Sequence, residues 1–71
     1  MSRYLIVIEE TPAGYSAHSP DLPGCMGTGH DRAEVQRTMR EVIAFHIEEL
    51  LEAGEPVPRP TSTSAYVDVA G

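Results

Sequence analysis

Apolar positions change their period twice along this chain, and each change marks a new element. From Arg3 to Glu10 the residues Leu5, Ile6, Val7 and Ile8 run without a break, the pattern of a strand covered on both faces. Thr11-Pro12-Ala13-Gly14 is a turn, and Tyr15 to Ser19 reads as a second strand, so the two predict a hairpin. Gly24 to Thr28 follows as a short third strand, whose glycines at 24 and 27 imply close backbone approach or a bulge. The period then becomes helical. Val35, Met39, Val42, Ile43, Ile47 and Leu50 fall on one side, Glu34, Arg37, Glu41, Glu48 and Glu52 lie opposite, and Phe45 and Leu51 flank the apolar stripe. Asp31 as N-cap and Glu34 three residues later form a capping box. Gly54, with Pro56, Pro58 and Pro60 behind it, ends the helix near Ala53. Residues 55–63 make a proline-rich linker. Ser64 to Val69 then alternates Ala65, Val67 and Val69 against Tyr66 and Asp68, which predicts a fourth strand.

The resulting β-β-β-α-β order belongs to the α+β class. A meander makes strands 1 to 3 antiparallel, and a right-handed crossover through the helix places strand 4 beside and parallel to strand 1. The predicted sheet is therefore mixed and four-stranded, in the order 3-2-1-4, with one helix packed on one face. Strand 1 is apolar on both sides, so the other face is expected to bury itself against another subunit or a partner.

With 71 residues the chain reads as a single domain, 1–71. A domain this size buries only about 60% of its unfolded surface, so its core is thin. One cysteine excludes an internal disulfide. No apolar run approaches the ~20 residues of a membrane span, and no signal-peptide pattern opens the chain, so a cytoplasmic location is expected. Eleven acids face five basic residues, a formal charge of −6, and all five bases are arginine. Such a surface opposes direct nucleic-acid binding and suits a cationic protein partner.

Little in the sequence speaks for catalysis. Asp21 is one of few acids near a strand end, but an aspartate between prolines is read as capping its own turn. His18, Cys25 and His30 have a spacing that matches no standard zinc pattern, and a fourth ligand is missing. Cys25 follows Gly24 with no basic neighbour in sequence, and reads as a small core residue. His46, inside the apolar stripe, reads as a hydrogen-bonded core or interface histidine. No catalytic residue, metal or cofactor is expected.

The stretch from Tyr15 through Ser19-Pro20-Asp21-Leu22-Pro23-Gly24-Cys25, then Gly29-His30-Asp31 and Glu34, resembles the HicB-like antitoxin family over nearly the whole chain. Its structural motif here is Pro20, Asp21, Leu22, Pro23, Gly24, Cys25, Gly29, Asp31 and Glu34. The resemblance implies a degenerate ribonuclease-H-like fold without the nuclease's catalytic acids. It also implies binding to a small basic HicA-type toxin, an mRNA-cleaving ribonuclease, and self-association as a dimer or higher oligomer. Many members add a C-terminal DNA-binding domain; no such segment is read here, so no direct nucleic-acid contact is expected. Contacts with partners or other copies are expected from Tyr4, Tyr15, Tyr66, Phe45 and Leu51, with Glu48, Glu49 and Glu52 as a charged rim. Two other readings remain open: a stand-alone oligomer binding a small ligand at a subunit junction, and a vestigial metal-dependent hydrolase using Asp21 with His18 or His30.

Overall fold

The computed structural model describes residues 2–71. Three strands, β1 (Val7–Thr11), β2 (Gly14–His18) and β3 (Met26–Gly29), precede one helix, α1 (Arg32–Glu52). The sheet is antiparallel in the order β1-β2-β3, with Ile8 opposite Ala17 and Ala17 opposite Gly27. The meander and the helix are as expected from the periodicity.

The first strand begins inside the apolar run, at Val7, and is shorter than the expected Arg3–Glu10. Val7 pairs with His18, the last residue of β2. Beyond it the chain turns at Ser19-Pro20, so residues 3–6 find no ladder partner in the sheet. They still alternate. Tyr4, Ile6 and Ile8 pack against the core, which leaves Leu5 and Val7 on the opposite face. There Val7 shares a row with His18 and Met26, and Met26 is exposed. Helix α1 covers only the Ile8, Ala17 and Gly27 side.

The helix is well bounded. Asp31 Oδ1 accepts from the Glu34 N–H at 2.8 Å, and Glu34 Oε1 reaches back to the His30 N–H at 3.1 Å. At its other end Glu55 N–H donates to Leu50 C=O and Gly54 N–H to Leu51 C=O, a Schellman ending with Gly54 at φ +69°.

Close approach of α1 to the sheet rests on two missing side chains. A Cβ on Gly29 would stand 2.7 Å from the Val35 nitrogen and 3.0 Å from its Cα; one on Gly27 would stand 3.0 Å from Thr38 Cγ2. Val35 and Met39 fill the space so opened and join Ala17, Leu22 and Cys25 as the buried apolar core. The helix outruns this core. Its 21 residues span about 31 Å, whereas strands of four or five residues span about 13–17 Å. Val42 and Ile43 are the last stripe residues packed against the core. Ile47 and Leu50 are half-buried beyond it, and Phe45 and Leu51 are 62% and 63% exposed.

The expected fourth strand is not formed, and the sheet is neither four-stranded nor mixed. Residues from Pro56 onward make no backbone–backbone hydrogen bond among the described residues. The reason is position. Ser64 to Val69 keep their N–H groups, but the path into them is set by the hydrogen bonds of Thr61 and Ser62 to the Asp21 carboxylate. The segment that follows lies opposite Leu5–Ile8 across a cavity of ≈ 290 Å³ lined also by Ser64, Ala65 and Tyr66.

Because the Gly29 clash involves backbone, it has no inexpensive relief. Gly29→Ala is expected to cost about 1–3 kcal/mol and to lower the melting temperature by several degrees, at roughly 4–8 °C per kcal/mol in a chain this size. Thermal melts followed by far-ultraviolet circular dichroism check it.

Candidate protein-binding surface

The seven residues Ser19 to Cys25 form a closed turn. Ser19 N–H donates to Cys25 C=O, Leu22 N–H to Ser19 C=O and Cys25 N–H to Leu22 C=O. Pro20 and Pro23 stiffen it, and Gly24 supplies the φ of +90° that lets the chain leave for β3. Leu22 is fully buried in the core, while buried Ser19 donates its hydroxyl to Leu5 C=O at 3.1 Å. The turn thus holds the unpaired start of the chain against the sheet.

Asp21 points the other way and clasps the C-terminal segment. Its Oδ2 accepts from the N–H groups of Thr61 and Ser62, at 3.1 and 3.0 Å. Its Oδ1 accepts from their hydroxyls, at 3.1 and 2.7 Å. A second tie joins the Tyr4 hydroxyl to Pro58 C=O at 2.6 Å. The expectation that Asp21 caps its own turn is therefore corrected: it caps a segment forty residues away. The Ser62 N–H and hydroxyl, helped by those of Thr61, hold its carboxyl below its ordinary value of 3.8 against a smaller opposing effect of burial. A carboxylate with both oxygens engaged is a fastener and has no lone pair aimed at a substrate.

The remaining candidates for chemistry stand apart. Cys25 is buried and its thiol is pushed up by desolvation, the reverse of a reactive cysteine. His18 and His30 are both exposed. Among the described residues no group of three His, Cys, Asp or Glu side chains is placed to hold a metal ion. Among the described residues no helix is long and apolar enough to cross a membrane.

What the structure does expose is the far half of α1. Phe45, Glu48, Glu49 and Glu52 follow helical spacing on one side and all are exposed, with Leu51 beside them. His46 is half-buried there. Glu34 in the first turn suits the helix dipole, but the charges at the other end oppose it. Arg32, Arg37 and Arg40 occupy the first half, whereas Glu48, Glu49 and Glu52 crowd the C-terminal end, whose last turn has no basic residue. Acids at that end, and like charges four apart, both destabilise an isolated helix. The remaining expected contacts lie elsewhere: Tyr4 and Tyr15 are half-buried against the core, and Tyr66 is fully exposed on the tail. Thr61 and Ser62 were not foreseen, because a hydroxyl pair after Pro60 carries no sign of a partner forty residues earlier.

Known proteins fit this geometry. The model of the HicB-like antitoxins of bacterial toxin-antitoxin systems matches residues 4–70, and the chain belongs to that family. A solved structure of a HicA3 and HicB3 toxin-antitoxin complex contains a chain similar to this one, at a TM-score of 0.72 and 35% identity, covering 84% of this chain and 70% of that one. An uncharacterised 14.9 kDa protein of the rep-hol intergenic region of Haemophilus phage HP1 is 37% identical over 65 residues, 92% of this chain and 49% of that protein. The present chain spans about half the length of that phage relative. The UPF0150 protein ssr1765 of Synechocystis is 35% identical over 57 residues, covering 79% of this chain and 72% of that protein.

The clasp makes two substitutions of Asp21 behave differently. Asp21→Ala removes every acceptor and is expected to free residues 58–63, seen as faster amide exchange at Thr61 and Ser62. Asp21→Asn keeps the tail, because its carbonyl accepts from both N–H groups while its amide donates to hydroxyls that turn to accept. Only the wild type should respond to acid. A carboxyl lowered by folding stabilises the docked tail above its ordinary value near 3.8 and loses that contribution as pH falls through the lowered value. Protection of the Thr61 amide, taken relative to its intrinsic exchange rate at each pH, should therefore fall in the wild type as pH drops below the ordinary value of 3.8 and not in Asp21→Asn. Buried Cys25 is expected to resist alkylation at neutral pH until the chain unfolds, which a thiol-reactive dye with and without urea tests.

Proposed function

We propose that this chain is an antitoxin: a non-catalytic cytoplasmic protein that binds and silences a small basic HicA-type toxin that cleaves mRNA. The observation that carries the reading is the acidic C-terminal end of α1, which has no basic residue in its last turn. A helix end that gathers Glu48, Glu49 and Glu52 around exposed Phe45 and Leu51 is relieved when cationic side chains dock on it. Membership of the HicB-like antitoxins and likeness to a chain of a HicA3–HicB3 complex support the same conclusion. Phe45 and Leu51 supply the apolar anchor, and the three glutamates steer the encounter and set its orientation.

Co-expression with the products of the flanking reading frames tests it. A small basic protein that arrests growth alone should co-purify with this chain, and growth should resume when both are made. Purification of the chain from such cells with no bound protein, and growth arrest unrelieved by it, would sink the proposal. In the complex, Phe45→Ala is expected to weaken binding by about 2 kcal/mol, roughly thirtyfold. Replacing Glu48, Glu49 and Glu52 with Gln should slow association and flatten its salt dependence, measured by surface plasmon resonance between 50 and 500 mM NaCl.

A further inference from the structure

We propose that the groove between the first residues of the chain and the middle of α1 binds a small amphipathic carboxylate, one acid group on an aromatic or branched apolar body. The groove lies away from the far end of α1, and the inference stands apart from the antitoxin reading. Its first ground is shape. The groove has a volume of ≈ 340 Å³, within the usual size of small-molecule sites. Ile6, Met39 and Ile43 give it an apolar floor. Met39 is buried, and Ile6 and Ile43 pack against the same core. Tyr4 forms a wall; it too packs on the core, and its hydroxyl donates to Pro58 C=O at 2.6 Å. Floor and wall are thus fixed before a ligand arrives, which lowers the ordering cost of binding.

The second ground is charge. Arg3 and Arg40, far apart in sequence, both line the groove, with Gln36 one helical turn before Arg40. Among the described residues that line it there is no aspartate or glutamate, in a chain that has eleven of them against five arginines. The helix offers Arg40 no acid either. Gln36, Arg37, Ile43 and Ala44 stand three and four positions from it, the positions that neighbour it on the helix surface. Two guanidinium groups on one groove without a counter-charge favour an anion, and the planar fork of arginine holds a carboxylate by paired N–H donors.

Together the two grounds fix the chemistry of the occupant. An apolar floor calls for an apolar body, which an inorganic anion lacks. A cationic rim calls for a negative head, which a neutral lipid or sugar lacks. The net charge of −6 repels a polyanion such as a nucleic acid at longer range, whereas a single carboxylate is drawn in by the two nearest charges. The groove has room for one small molecule, seated with its body on Met39 and its head between Arg3 and Arg40.

Titration of the 15N-labelled chain, followed by amide chemical shifts, tests it with 3-phenylpropionate and 4-methylpentanoate as probes. 3-Phenylpropanamide keeps the body without the charge, and acetate keeps the charge without the body. At least one probe should shift the amides of residues 3–6 and 36–43 with a Kd of about 1 mM or tighter. The amide and acetate should bind at least tenfold more weakly than that probe. Arg3 and Arg40 are exposed, so their charges can be removed without disturbing the core. Arg3→Gln and Arg40→Gln should each weaken the probe at least fivefold with an unchanged circular dichroism spectrum. Arg37→Gln, outside the groove, should change its affinity less than twofold. No binding of either probe at about 5 mM, equal binding of the amide, or an affinity indifferent to both arginines would each overturn the proposal. Preference for a glutamate-rich peptide over both probes would overturn it as well.

Discussion

The turn from Ser19 to Cys25 bears two loads that point in opposite directions. Inward, Leu22 fills the middle of a core whose buried apolar residues number five, so losing its side chain would empty a large fraction of what holds the sheet to the helix. Outward, Asp21 ties down a segment that, among the described residues, makes no backbone–backbone hydrogen bond to the rest of the fold. Both depend on the same backbone path, set by two prolines and by Gly24 at φ +90°. A path distorted by one residue would rotate Leu22 out of the core and Asp21 away from Thr61 and Ser62 together. The fold at this end is therefore coupled: tail and core share one hinge.

How much of this could be read in the residues follows from the range of each interaction. The helix was legible because its determinants are local: Asp31 and Glu34 meet across one turn, and Gly54 closes the last one. The hairpin was legible because its turn residues lie between its strands. Gly27 was recognised as a close approach, whereas Gly29 was noticed only as part of the family motif, although it meets the Val35 backbone more tightly. The fourth strand failed for a reason alternation cannot express. Periodicity states that Ala65, Val67 and Val69 could share a face; it does not state that an edge is within reach. The role of Asp21 was misjudged on the same ground, since its four donors come from residues 61 and 62.

The candidate binding surface was the more legible part, in one respect. Phe45 and Leu51 sit at the margin of the apolar stripe, and a sheet of four- and five-residue strands is too short to cover a helix of 21. Length alone then exposes the far end of α1, and the glutamates there were visible in the sequence. Tyr4 and Tyr15 are expected from the sequence as contacts with partners or other copies. Their positions on the core side of β1 and β2 depend on strand register, which places Ile8 opposite Ala17 and so fixes which residues face the helix.

A chain with so thin a core has little stability to give away, yet it keeps three arrangements that each cost some: acids at the C-terminal end of α1, a sheet edge at β1 without a neighbour, and an exposed apolar tail. Each is unfavourable only for the isolated chain. Contact with a cationic surface turns the first into an attraction. The HicB-like antitoxins are so named for their place in a toxin-antitoxin system, and the physics of this member agrees with a protein completed by association.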